Sequence, residues 1–167
     1  MTDLMESLRQ SFADPVTRHA MLVHFPIAVS MLAIPFIGIL PFLGSRRATI
    51  FRIGLALTLF AVAVIAWQAS EAGEAAFSVV EARLPSQQAR DVLGEHAELG
   101  ERIALAMAGT SLLVGATLIP NRWARLAASS LAVAAAVATA ALVTITAHDG
   151  GRLVHHLDRA PASWNSD

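Results

Sequence analysis

Four stretches of this chain, 21–43, 49–70, 103–119 and 123–146, are each long and apolar enough to cross a bilayer as a helix. Such a span needs about 20 apolar residues. The predicted fold is therefore all-α: an antiparallel four-helix transmembrane bundle, with short interfacial helices on its outer side. The first span carries Pro26, Pro35 and Pro41, so it is expected to bend, with neighbouring helices or waters meeting the carbonyls that proline leaves free. In the fourth, Ala128, Ala132, Ala136 and Ala140 recur every four residues. A face of that kind lets another helix come close where lipid removes the hydrophobic drive for association.

Composition narrows the function classes. The 167 residues are 55% hydrophobic and 15% charged, against roughly 25% charged in an ordinary soluble domain. Twelve Lys and Arg face thirteen Asp and Glu. With no basic field to hold a phosphate backbone, nucleic acid is not an expected partner; the expected surroundings are a lipid bilayer, with a membrane redox complex or a homo-oligomer as further partners. The chain has no cysteine, which excludes disulfides, thiolate metal sites and covalent haem attachment. Any metal must be held by His, Asp, Glu or Met.

The ends of the spans set the expected topology. Residues 1–20 read as an interfacial segment, in which Leu4, Leu8 and Phe12 fall on one side of a short helix. No basic region and cleavage site of a secretory signal is found, so the first span is expected to be retained. Arg46, Arg47 and Arg52 follow the first span, and Arg122 and Arg125 precede the fourth. Short cytoplasmic loops retain such arginines. The acidic connection 71–102 and both termini then face outward from a bacterial inner membrane, and all six histidines share that side.

The outer connection is expected to be structured. Phe77, Val80 and Leu84 form an apolar stripe ending at Pro85, read as a helix on the interface. After Pro85-Ser86, a start signal, residues Val92, His96, Gly100 and Ile103 keep helical spacing into the third span, which turns His96 inward. At the far end, His148-Asp149-Gly150-Gly151 is expected to end the fourth helix, with the glycines in left-handed cap geometry, and 148–167 forms a C-terminal tail. Asp149 is read as a solvated turn residue, with orientation of an imidazole as the alternative.

Histidines at a membrane boundary are costly unless they pair, bind something or meet water. His24 and His96 each stand near the start of a span on the same side, and are expected to approach each other as one buried polar site, with His148 as a substitute. Three readings stay open. Two imidazoles from facing helices suit a b-type haem for electron transfer, with Gly73, Gly100 and the alanine face giving room. His24, His96 and His148 with Glu74 or Glu98 suit copper or zinc. The third is a structural membrane subunit whose histidines only form hydrogen bonds. No nucleophile-elbow motif and no mid-membrane charge occurs, so the protein is not read as an enzyme.

Val23-His24-Phe25, Ala72-Gly73-Glu74, Glu95-His96-Ala97-Glu98-Leu99-Gly100 and Gly150-Gly151-Arg152-Leu153-Val154 together resemble the bacterial membrane family named domain of unknown function 2231 (DUF2231). The resemblance runs over nearly the whole chain, in the family's order. It implies a four-helix inner-membrane protein and carries His24, Glu74, His96 and Glu98 over as the family's polar positions. Similar proteins often place a histidine just after the Gly-Gly-x-Leu-Val pattern; Leu157 stands there, with His155 and His156 before it.

Overall fold

The computed structural model describes residues 2–43 and 46–158, with side chains for 5–7, 9–43 and 48–155. The described chain is helical: α1 (Thr2–Ala13), α2 (Pro15–Gly38), a 3-10 turn (Leu40–Phe42), α3 (Arg46–Arg83), α4 (Gln87–Ala116) and α5 (Arg122–Asp158). Local chemistry sets most of the starts. Asp14 caps α2, its carboxylate accepting from the Thr17 N–H at 2.8 Å, and Pro15 fills the first position, where its missing N–H costs nothing. Ser86 caps α4 through the Ala89 N–H at 3.2 Å. Asn121 does the same for α5, accepting from the N–H groups of Trp123 and Ala124. Helix α2 remains continuous through Pro26 and Pro35 and gives way to the 3-10 turn where Pro41 follows.

Helices α2 to α5 form a closed ring in which each packs on its two sequence neighbours and α5 returns to α2. The pairs α2/α4 and α3/α5 are therefore diagonal. Four helices are long and apolar enough to cross a membrane. Large apolar side chains such as Leu57, Phe60 and Leu112 point away from the bundle, 56 to 74% exposed, while its interior sets many alanines around a few large side chains, Ile37, Leu40, Leu59 and Met107. Ala128, Ala132, Ala136 and Ala140 are all buried, so the alanine face does bring α5 close to its neighbours.

Three expectations change. The second span does not end near residue 70: α3 runs on to Arg83, and a tight turn at Leu84–Ser86 leads into α4 at Gln87, where the start signal at Pro85-Ser86 places it. At 1.5 Å per residue α3 is about 57 Å long, well beyond a hydrocarbon core of about 30 Å. The expected interfacial helix around Phe77 is the last part of α3. Its apolar stripe packs inward, where Phe77 and Val80 meet a buried cluster of Leu84, Ala89, Val92, Leu93 and Leu153. Nor does Gly150-Gly151 stop α5. No glycine takes a positive φ among the described residues, and the helix continues to Asp158 because Leu153, one turn on, joins that same cluster.

The two hairpins, α2–α3 and α4–α5, repeat each other. Pro26, Ser30, Ala33, Ile37 and Leu40 are buried from the first; Ile103, Met107, Thr110, Val114 and Thr117 are buried from the second. Each lies 77 positions after its counterpart. The same offset maps the buried Leu59, Val62, Ala63, Ala66, Ala69, Ala72 and Ala76 of α3 onto Ala136, Thr139, Ala140, Val143, Thr146, Asp149 and Leu153 of α5, all buried. Equivalent helices run the same way, so the halves are parallel repeats about an axis along the bundle. Below, the end with the Leu84–Ser86 turn is the acidic end; the end bearing Arg52, Arg122 and Arg125 is the arginine end.

Candidate functional site

The repeat brings two imidazoles together at the acidic end. His19 of α2 and His96 of α4, 77 positions apart, stand with ring centroids 5.9 Å apart and planes inclined at 71°. They come from diagonal helices, which otherwise scarcely touch, and so meet across the middle of the bundle. Each leans on a neighbouring helix in the same manner. Nδ1 of His19 lies 2.7 Å from the Ala69 carbonyl of α3, and Nδ1 of His96 lies 3.0 Å from the Thr146 carbonyl of α5. A carbonyl only accepts, so in both rings Nδ1 carries the proton and donates. In the neutral ring that leaves Nε2 with its lone pair free.

Glycine makes this approach feasible. One turn beyond each accepting carbonyl stands a glycine, Gly73 on α3 and Gly150 on α5. A β-carbon on Gly73 would lie 3.0 Å from His19 Nδ1, and one on Gly150 would lie 3.1 Å from His96 Cε1. The imidazoles thus occupy the notches that the two glycines open. Gly100 differs: its nearest neighbour would be the Ser70 hydroxyl at 3.9 Å.

His96 turns inward, but the structure pairs it with His19 rather than His24. Five residues separate the two histidines of α2, and at 3.6 residues per turn this rotates His24 about 140° away from His19. His24 is exposed, its Nδ1 donating to Ala20 of its own helix at 2.7 Å. His148 is exposed as well, lying two residues from the inward Thr146 and so on nearly the opposite face. Glu74 is exposed beside the Gly73 notch. Glu98 accepts from Arg102 at 3.3 Å in the open. Among the described residues no group of three His, Asp or Glu converges as a metal cage, so the set His24, His96, His148, Glu74 and Glu98 does not assemble. His155 is exposed; the side chain of His156 lies outside the described residues.

Asp149 is neither in a turn nor solvated. It is a buried residue of α5, 9% exposed, with Arg152 at 3.7 Å. His96 is oriented by the Thr146 carbonyl instead. Among the described residues, two buried polar atoms at the other end of the bundle have no hydrogen-bond partner, Nε of Arg52 and Oγ of Ser129, and a third, Nε of Arg18, adjoins His19 in the chain.

Two imidazoles, each with Nδ1 committed to a backbone carbonyl and Nε2 without a protein partner among the described residues, thus stand side by side in the middle of the acidic end. A metal bonded to one nitrogen of each ring at about 2.0 Å sets the ring centres about 6 Å apart when the two bonds oppose each other, and the centres here are 5.9 Å apart. The donors fit either a single ion or the axial positions of a haem. Of the room expected for a porphyrin, the Gly73 notch is filled by His19 itself and the alanine face is packed against neighbouring helices, which leaves less space for a haem than for an ion. A cavity of about 10 Å³ further along the bundle, lined by Ser30, Met107, Thr110 and Thr139 among others, is no larger than a water.

The sequence held a signal for this pairing: His19 and Gly73 recur as His96 and Gly150 at the one offset of 77, with Ala69 and Thr146 between them contributing only their carbonyls. No family model, curated protein or solved structure matches the chain.

Proposed function

We propose that this protein is a multi-pass inner-membrane protein of a bacterium that holds a redox-active metal centre between His19 and His96. The observation that carries the reading is the pair itself: two rings at 5.9 Å, each held by a backbone carbonyl through Nδ1. A protein that needed only packing at this point would have no reason to spend two polar rings and two glycines on it. Copper is favoured over zinc, because zinc sites draw on three or four protein ligands whereas imidazole also suits copper. A b-type haem with a role in electron transfer is the second reading, favoured by the arrival of the ligands from opposite sides of the bundle. The quoted motif order supports membership of the DUF2231 family, and the arginine bias supports an acidic end that faces outward.

An absorption spectrum of the detergent-purified protein, oxidised and reduced, with metal analysis on the same sample, tests the reading. One metal per chain without a Soret band supports the bare ion, and a Soret band supports haem. Neither, after growth with both supplied, overturns the proposal. Orientation is tested separately: a single cysteine at the exposed Gln87 is expected to react with an impermeant reagent from the outer face, and reaction only from the cytoplasmic face reverses it.

A further inference from the structure

The arginine end carries positive charge without any carboxylate to meet it. Residues 15–70 and 102–148 contain no Asp or Glu, and every acidic side chain of the bundle lies towards the opposite end. Arg52 is nevertheless 5% exposed. Its terminal nitrogen donates to the carbonyls of Leu40 at 3.0 Å and Leu43 at 2.7 Å, which fixes the 3-10 turn at the end of α2, while its Nε stays buried without a partner. Dipoles satisfy hydrogen bonds, but they do not cancel a full charge held out of water. Helix α5 packs on the 3-10 turn that Arg52 holds and brings another cation, Arg125, to the same end. Ser129, one turn beyond Arg125, is wholly buried with its hydroxyl unpartnered. Outside this group, Arg122 lies 5.0 Å over the ring of Trp123, which is 69% exposed, the placing of an aromatic anchor at headgroup depth.

We infer that this end binds the phosphate of an anionic phospholipid headgroup. The negative charge missing from the chain is supplied by the membrane: Arg125 and Arg122 reach the phosphate from the rim, Trp123 fixes the depth, and the anion offsets the enclosed charge of Arg52. A headgroup with net negative charge is selected over a zwitterionic one, because choline would return a positive charge to a cluster that already has an excess. Basic clusters between or beside transmembrane helices recognise lipid in this way.

Native mass spectrometry of the intact chain in a neutral detergent tests it, with phosphatidylglycerol, phosphatidylcholine of the same chains and inorganic phosphate as probes. Arg52 is left in place because it holds the turn. Wild-type protein is expected to retain phosphatidylglycerol at least tenfold more tightly than phosphatidylcholine. Arg122→Gln and Arg125→Gln are each expected to cost about fivefold in phosphatidylglycerol affinity and to leave phosphatidylcholine unchanged, while Arg102→Gln at the acidic end changes neither. Equal retention of the two lipids, or an equal loss in Arg102→Gln, overturns the inference. Saturable binding of inorganic phosphate that depends on Arg125, without a preference between the lipids, assigns the site to a soluble anion and overturns the lipid.

Discussion

A β-carbon placed on Gly73 would lie 3.0 Å from Nδ1 of His19, the atom that donates to the Ala69 carbonyl one turn earlier on the same helix. Ring, carbonyl and glycine make one unit, and Gly150 with His96 makes the other. In an open helix position alanine gains about 1 kcal/mol over glycine. In these notches it forces the imidazole aside, at about 1 to 3 kcal/mol for overpacking. Gly73→Ala and Gly150→Ala are expected to lower the thermal midpoint in detergent and weaken metal binding. Gly94→Ala, where nothing lies within 4 Å of the added carbon, is expected to raise the midpoint. A rise in all three shows that the imidazoles do not fill the notches.

Arg52 fixes the arginine end. Replacement by methionine leaves the Leu40 and Leu43 carbonyls without their donor, at about 1 to 3 kcal/mol for each buried group left unpaired. Arg52→Met is expected to lose about 2 to 4 kcal/mol in reversible unfolding within mixed micelles. Unchanged stability would mean that water or another donor takes over both acceptors.

Asp14 links α1 to α2. Its carboxyl is held below the usual carboxylate range, first by the Thr17 hydroxyl and then by the Thr17 backbone N–H. Because the folded value is depressed, the cap contributes fully above the ordinary carboxylate pKa and is lost as pH falls through the lower folded value. Protection of the Thr17 amide, exchange measured against the intrinsic rate at each pH, is expected to be high at neutral pH, to fall only below the ordinary carboxylate range, and to be low at all pH values in Asp14→Ala. Protection already lost near pH 6 contradicts a depressed carboxyl.

The spans and the alanine face were legible because lipid imposes a strong pattern: long apolar runs, with Ala132 and Ala136 repeating at the contact. The early start of α4 was legible at Pro85-Ser86; the unbroken reach of α3 past the membrane was not. Residues Glu71, Glu74 and Glu81 dominate the composition there, while the positions that pack, Leu84, Ala89 and Val92, close on Leu153 from the far end of α5, a partner that no local pattern announces. The partner of His96 on α2 is hard to read from sequence, because Pro26 hides the rotation of that helix and the neighbourhood of His24 is more apolar than that of His19. The repeat stayed hidden for a packing reason. Its polar notch keeps identical residues, His19 with His96 and Gly73 with Gly150, but its core trades volume between halves: Ser30 corresponds to Met107 and Leu59 to Ala136. Total volume is what a core conserves, so equivalent positions need not match in type.

The central claim is that His19 and His96 share one metal centre, and X-ray absorption at the edge of the bound metal tests it most directly, alongside metal content in single variants. Wild-type protein is expected to show two imidazole nitrogens at about 2.0 Å. His19→Gln and His96→Gln each lose the metal while the bundle remains folded in the membrane, and His24→Gln and His148→Gln keep both stoichiometry and spectrum. Metal retained in His19→Gln with an unchanged ligand shell, and lost in His24→Gln, would contradict the account.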